Sequence, residues 1–402
     1  MSVTKLNKAA SLSILGATGS IGESTLAIVR EVDNLSVFAL SANTNVAALV
    51  AQCLEFEPRY AVICDPSLAP ELRTALKAQD SATQVLVGEE GLERAATAPE
   101  VDIVMAAIVG AAGLDSTLAA AGAGKKLLLA NKEALVMTGD LLISAARESG
   151  ATLLPVDSEH NAIFQCLPTV EAGVSAEQFT YVEKLVLTAS GGPFLRTPLD
   201  AFGEITPAQA CAHPVWSMGN KISVDSATMM NKGLEYIEAC QLFGLPPEQV
   251  EVVIHPQSIV HSFVHYSDGS VLAQMASPDM RVPIAHCLAW PQRVHTQAPR
   301  LDLASQPALE FLVPDLARFP CLRLGIDAAQ AGGTAPALLN AANEEAVAAF
   351  LAERLDYLGI AEVNAQVMAQ IPCEAASSLA IIREADAKAR KLANSLINNR
   401  LV

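Results

Sequence analysis

The feature that most limits what this chain can become is an alternation in its first 150 residues. Short apolar runs (SLSIL, SVFAL, YAVIC, TQVLVG, VDIVMAAI and KLLLA) are separated by stretches of helical period such as STLAIVREV and NVAALVAQCLEF. The runs have strand length, and the stretches between them are long enough to cross back over a sheet. Repeated βαβ units of this kind build a parallel sheet covered on both faces. ATLLPV, from Ala151 to Val156, adds one more strand.

The pattern then changes. VEKLVLTAS, EVVIH, IVHSFVHY and SVLAQMA are strands, and Ser267-Asp268-Gly269 between the last two is a hairpin signal. An α+β domain with an open or partly covered sheet is expected. Pro291, Pro299, Pro307, Pro314 and Pro320 follow in a stretch without a strong period, which reads as an extended arm. From about Leu322 the chain is Ala-rich and helical, clearest in APALLNAANEEAVAAFLAERL and ADAKARKLANSLINN. The expected fold is α/β in three parts. A Rossmann-like doubly wound parallel sheet spans 1–156, and a central α+β domain spans 157–290. An arm over 291–320 leads to a C-terminal helical bundle over 321–402.

Composition narrows the function. A chain 51% hydrophobic and 17% charged can bury a large core. A net charge of −17 argues against nucleic acid or anionic membranes as partners. An anionic substrate would need a local cluster of cations. Eight cysteines without a CxxC pair, and an N-terminus without a signal-like apolar core, point to a reduced, cytoplasmic protein. No charge-free apolar run reaches about 18 residues, so no membrane span is expected.

SLSILGATGSIGESTLAIV sets Gly16, Gly19 and Gly22 between a strand and a helix. Glycines there let a backbone approach a pyrophosphate at a helix N-terminus, although a tight turn alone would use the same residues. The second strand ends in Ser41-Ala42-Asn43-Thr44-Asn45. No carboxylate stands there to repel a 2′-phosphate, so Asn43 and Asn45 suit NADP better than NAD. A Tyr-x-x-x-Lys proton-transfer pair is excluded, because Tyr181 meets Lys184 three residues on, not four.

LLPVDSEHNAIFQCL places Asp157, Ser158, Glu159 and His160 at a strand end. In extended chain, Asp157 and Glu159 point to one side and can share a Mg²⁺ or Mn²⁺ ion; as helix caps they would need no metal. In SVDSATMMNKGLEYIEAC, Asn231, Lys232 and Glu235 share one helical face. Lys232, with hydroxyl and amide groups such as Ser226, is a good phosphate holder. Glu235 could supply a third carboxylate, or pair with Lys232 on a solvated face. Ser190 precedes two glycines in LTASGGPF, and His213, Trp216 and Met218 lie in HPVWSMG, bounded by Pro214 and Gly219. A tryptophan in such a loop suggests a lid. His255, His261 and His265 are more often satisfied strand histidines than catalysts.

GATGSIG, ANKEALV, PVDSEHNAIFQ, SGGPF, HPVWSMGNKISVDSATMMNKGLE and HPQSIVHSFV together resemble the 1-deoxy-D-xylulose 5-phosphate reductoisomerase family of non-mevalonate isoprenoid biosynthesis, over nearly the full chain and in the family's order. The resemblance implies an NADPH-dependent homodimer with one Mn²⁺ or Mg²⁺ per subunit. It converts 1-deoxy-D-xylulose 5-phosphate to 2-C-methyl-D-erythritol 4-phosphate. It places metal ligands at Asp157, Glu159 and Glu235, and substrate contacts at Ser158, Glu159, Ser190, His213, Ser226, Asn231, Lys232 and Glu235. It places catalytic groups at Lys132, Glu159 and His213. Cofactor contacts fall on Thr18, Gly19, Ser20, Ile21, Asn131, Glu133 and Gly219, and the lid on Trp216 and Met218. One departure concerns the 2′-phosphate: many members carry a glycine and a basic residue where this chain has Asn43 and Thr44. Two other readings compete, a simple NADP-dependent sugar-phosphate dehydrogenase without metal, and a non-enzymatic NADP sensor. The sensor leaves the acidic and phosphate-holding residues unexplained.

Overall fold

A computed structural model of the chain describes residues 4–170, 173–174, 176–216 and 218–400. The N-terminal region alternates as expected: β1 Thr4–Leu15, α1 Ser20–Val29, β2 Val32–Ala42, α2 Val46–Phe56, β3 Tyr60–Ile63, α3 Ala69–Ala78, β4 Gln84–Val87, α4 Gly88–Thr97, β5 Ile103–Ala106, α5 Leu114–Gly122, β6 Lys126–Leu129, α6 Lys132–Ser149 and β7 Thr152–Pro155. All seven strands run parallel in the order β4-β3-β2-β1-β5-β6-β7. The strand order reverses direction beside β1, so the loops after β1 and β5 part there and open a crevice at the carboxyl ends of the strands.

The central elements are α7 Ser158–Cys166, β8 Val182–Ala189, α8 Pro207–Ala210, α9 Asn220–Ala227, α10 Met230–Phe243, β9 Val250–Ile254, β10 Val260–Tyr266, β11 Val271–Met275 and α11 Arg281–Ala289. The second sheet has the order β11-β10-β8-β9, with only β8 and β9 parallel. Helices α12 Pro320–Ala331, α13 Ala335–Leu351, α14 Tyr357–Gln370 and α15 Leu379–Arg400 form the C-terminal part.

Between α11 and α12 the chain has one short helical turn, Leu303–Ser305, and an extended contact in which Leu312 exchanges both backbone hydrogen bonds with Ile254 at 2.8 Å. Chain order and spatial grouping part at α11. Its Ile284, Cys287 and Leu288 pack with Leu12, Ile14 and Leu26 under the first sheet. Lys126 Nζ also donates to the carbonyls of Leu288 and Trp290 at 3.1 Å. A helix apolar on several sides, as RVPIAHCLA is, must be enclosed.

Helix α10 joins the parts. Tyr236, Ala239, Leu242 and Phe243 belong to the core beneath both sheets, while Leu234 and Ile237 belong to the core of the C-terminal helices. Residues on the N-terminal turns of α10 therefore sit at the junction of three bodies.

Candidate active site

A cavity of about 620 Å³ opens at this junction. Its walls come from the residues after β1 (Gly19, Ser20, Ile21), after β5 (Ala107–Val109), after β6 (Asn131, Lys132, Glu133) and after β7 (Asp157, Ser158, Glu159). The second sheet adds Thr188, Ser190 and His261. The chain from His213 to Glu235 closes the remaining side.

At the cofactor end, Gly16 has φ of +90°, and a Cβ there would lie 2.6 Å from the carbonyl oxygen of Ala107. A Cβ on Gly22 would lie 2.3 Å from the carbonyl oxygen of Ala17, so α1 can seat against its own loop only with glycine. Gly19 caps α1 without any side-chain hydrogen bond, and its side faces open space apart from Gly16 O. The first N–H groups of α1 are left free for an anion, and the loop fits a pyrophosphate.

Ser41 ties this loop to β2, accepting from Gly16 N at its hydroxyl and from Ala17 N at its carbonyl, both at 2.8 Å. Asn43 and Asn45 are exposed beside it and do not line the cavity. Asn45 instead caps α2 through Ala48 N. Thr18 is half-buried and also outside the lining.

The acidic centre differs in one respect from the sequence expectation. Asp157 and Glu159 do not extend a strand; β7 ends at Pro155, Asp157 is the N-cap of α7, and Glu159 lies in its first turn. Asp157 Oδ1 accepts from Glu159 N at 3.3 Å. The capping and metal readings thus coexist. Both carboxylates still come together with Glu235, with one oxygen from each within 4.8 Å of the others. Three hard oxygen donors at one point fit a Mg²⁺ or Mn²⁺ ion with positions left for substrate oxygens.

Two lysines neutralise these acids. Lys132 Nζ lies 2.7 Å from Asp157 Oδ2, 2.8 Å from Glu235 Oε1 and 2.9 Å from Asn231 Oδ1. Lys232 Nζ lies 2.6 Å from Glu159 Oε1 and also pairs with Glu235 Oε2. The i,i+3 pair of Lys232 and Glu235 is real but buried, not solvated, since the two are 3% and 2% exposed. Lys232 is therefore seated on carboxylates rather than standing free for an anion, because a buried ammonium must have partners.

The charges respond accordingly. Burial opposes the charge of Lys132, but Asp157, Glu235 and Glu238 outweigh it and hold the ammonium well above its usual range. Burial likewise opposes Asp157, yet Lys132, His160 and Lys232 hold it well below the carboxylate range. Glu159 is pushed up to about 7 by burial and by the charges of Glu235 and Asp157. His160, completely buried, reaches about 9 because Glu238 and Asp157 override its desolvation.

Ser190 and His213 meet across the cavity. Val215 N and Trp216 N donate to His213 Nδ1 at 3.2 and 2.9 Å, so the proton sits on Nε2, which donates to Ser190 Oγ at 2.9 Å. Burial lowers the His213 pKa, favouring this neutral form. The loop is thus pinned by its own histidine, and Trp216 stands 6.2 Å from the ring of His261. Ser217 lies outside the described residues.

Ser158, Ser226, Asn231, Met218 and Gly219 all line the cavity. Asn131 does too, but its side chain caps α6 through Ala134 N and donates to Gly110 O. Sequence reasoning missed Lys221 and Asp225. Lys221 Nζ bridges Glu133 Oε1 at 2.8 Å and Asp225 Oδ2 at 3.0 Å. Asn343 Nδ2 holds the other oxygen of Asp225, at 2.7 Å. The signal was there in GNKISVDS, where a lysine and an aspartate are spaced i,i+4.

Comparison with known proteins agrees with this geometry. Residues 12–139 match the 1-deoxy-D-xylulose 5-phosphate reductoisomerase family. Residues 153–243 match that family's C-terminal domain, and residues 275–392 match the DXP reductoisomerase C-terminal domain. A 1-deoxy-D-xylulose 5-phosphate reductoisomerase of Pseudomonas fluorescens strain Pf-5 is 57% identical, over 95% of this chain and 96% of that protein. The enzyme of the same name from Cellvibrio japonicus is 56% identical over 96% and 98%. Among solved structures, a DOX-P reductoisomerase in complex with NADPH, fosmidomycin and magnesium superposes with a TM-score of 0.91. It is 50% identical over 97% of this chain and 98% of that one. The Zymomonas mobilis enzyme in complex with NADPH gives 0.89 at 47% identity, over 97% and 99%.

Proposed function

The chain belongs to the 1-deoxy-D-xylulose 5-phosphate reductoisomerase family, and we propose that its junction cavity carries out the family's reaction. 1-Deoxy-D-xylulose 5-phosphate is rearranged and reduced to 2-C-methyl-D-erythritol 4-phosphate, with NADPH and a divalent cation. The observation that carries this reading is the meeting of Asp157, Glu159 and Glu235 beside a glycine loop open to a dinucleotide. The cation supplies Lewis acidity for an alkoxide and NADPH supplies hydride.

The residues divide the remaining work. Asp157, Glu159 and Glu235 would hold the cation, and Lys132 keeps Asp157 ionised and orients both Asp157 and Glu235 through its contacts with them. Ser190, Ser226, Asn231 and Lys232 hold the substrate phosphate, so that fragments of a broken carbon–carbon bond stay in place. Lys232 lines the cavity beside Asn231 and Ser226, where its ammonium would face an anion. His213 donates from Nε2 toward the substrate side of the cavity. Trp216 and Met218 close over the site and exclude water. At the other end, Thr18, Gly19, Ser20 and Ile21 form the loop that takes the pyrophosphate, with Asn43 and Asn45 toward its 2′-phosphate. Asn131, Glu133 and Gly219 border the nicotinamide end.

The division into segments 1–156, 157–290, 291–320 and 321–402 describes the chain order of these parts. A homodimer is supported by apolar side chains left outside on the edge strand β11, Val271 and Leu272, and by Val313 of the arm, 90% exposed. Among the described residues no helix is long and apolar enough to cross a membrane; with eight free cysteines, this supports a reduced, cytoplasmic setting.

The test is NADPH oxidation with 1-deoxy-D-xylulose 5-phosphate, with Mg²⁺ or Mn²⁺ and with excess chelator. Turnover that needs the metal supports the reading. Full activity in chelator would indicate a metal-free dehydrogenase instead.

A further inference from the structure

Behind the three carboxylates lies a fourth that the cavity does not touch. Glu238 is one helical turn beyond Glu235 on α10, fully buried, and neither of its carboxylate oxygens has a hydrogen-bond partner among the described residues. Burying such a group is costly unless something nearby uses its charge. The nearest partner is His160 on α7, whose Nδ1 is 3.6 Å from Glu238 Oε2.

His160 is itself fully buried and is held between the elements that carry the acidic centre. Its Nε2 donates to the backbone carbonyl of Glu235 at 3.0 Å, since a carbonyl can only accept. Its Nδ1 is 3.3 Å from Asp157 Oδ1. The ring stacks on Phe243 with 6.1 Å between centroids and 23° between planes. One imidazole thus touches the main chain of one carboxylate residue and the side chain of another, and Glu238 stands behind it. Neither His160 nor Glu238 lines the cavity.

We propose that Glu238 is a positioning residue that, through His160, locks Asp157 and Glu235 in the relative pose in which they hold a divalent cation. The inference rests on the metal role given to Asp157 and Glu235 under the proposed function. It adds a specific relay to it: carboxylate, imidazole, then both ligand-bearing helices. Supporting groups of this kind typically change metal affinity by about 10- to 100-fold when removed.

The rival use of the same atoms is a second cation position, because Asp157, His160 and Glu238 also bring ligand atoms within 4.8 Å of one another. Manganese binding distinguishes the two. Purified full-length protein is titrated with Mn²⁺ alone, read by electron paramagnetic resonance or calorimetry, for the wild type, Glu238→Gln, His160→Gln and the double variant. NADPH binding is measured in parallel.

The relay predicts one Mn²⁺ per chain, weakened about 10- to 100-fold in Glu238→Gln, with NADPH affinity and cooperative unfolding retained. Because Glu238 acts only through His160, the double variant should bind no worse than His160→Gln. Two Mn²⁺ per chain in the wild type would overturn the proposal, and so would affinity within twofold in Glu238→Gln or additive losses in the double variant. If Glu238→Gln does not accumulate folded, His160→Gln alone decides: unchanged Mn²⁺ affinity refutes the relay. Absence of any Mn²⁺ binding by the wild type would refute the metal site itself, not merely its support.

Discussion

Replacing Gly325 with alanine should damage the active site from a helix that contributes nothing to its lining. Helices α10 and α12 cross where Gly233 faces Gly325. A Cβ added at Gly325 would lie 2.4 Å from Gly233 Cα, 2.7 Å from its carbonyl carbon and 2.8 Å from its oxygen. These are backbone atoms that cannot rotate away. Ordinary contact begins near 3.4 Å, so the helices must part by about 1 Å. Overpacking of this kind costs about 1–3 kcal/mol, and the better helix propensity of alanine returns about 1 kcal/mol. The net loss of stability is therefore modest, about 0–2 kcal/mol.

The effect on function should be larger. Gly233 sits between Asn231, Lys232 and Glu235 on one helix, and a displacement of 1 Å in such groups can cost about 100-fold in rate. Gly233→Ala is the internal comparison. Its Cβ would meet Cys321 O at 3.1 Å and Gly325 Cα at 3.2 Å, so the neighbours need yield only a few tenths of an ångström. The order of damage should be Gly325→Ala well above Gly233→Ala, with Gly203→Ala, which meets nothing within 4 Å, neutral. Urea unfolding and metal-dependent NADPH oxidation measure both sides. Wild-type kcat/KM in Gly325→Ala, or a reversed order, would show that this crossing does not set the position of α10.

His286 gives a pH test. Burial first, then the charges of Arg293 and Lys126, push it down from 6.5 to about 3. A histidine kept neutral in the fold contributes stability that is present above 6.5 and is lost as the pH falls toward its folded value. Between pH 7 and 5 the loss from this one group is about 2 kcal/mol. In His286→Gln the fall in unfolding free energy over that interval should shrink by the same amount, and an unchanged slope would contradict the assignment. Lys221→Met leaves Glu133 and Asp225 buried without their cation, at a cost of about 3 kcal/mol, read by chemical denaturation; Lys221→Arg should recover most of it, and equal losses in both variants would disprove the pairing.

The alternation of strands and helices was legible because its period is local, and so were the strands of the second sheet. That Asp157, Glu159 and Glu235 converge was legible through the family resemblance, whereas each stretch by itself read as readily as a helix cap or an ion pair. Their geometry was not: whether Asp157 continues a strand or caps a helix depends on where β7 stops, which side-chain pattern alone does not decide. The seat of Lys232 on Glu159 was not legible, because that partner lies 73 residues away in the chain. Lys221, His160 and Glu238 take their meaning from side-chain contacts between elements far apart in the chain, Lys221 with Glu133 and His160 with Glu238. The position of α12 explains why Gly233 has no side chain, and nothing local to its own helix signals that. The placement of α11 under the first sheet is long-range in the same way.

The account stands or falls on where a divalent cation goes. Crystals grown with NADPH and soaked in Mn²⁺ can be measured by anomalous scattering at the manganese edge. One peak per chain, about 2.1 Å from an oxygen of each of Asp157, Glu159 and Glu235, is the expected result. A peak held by other residues, or none at saturating Mn²⁺ while turnover still requires the metal, would contradict it.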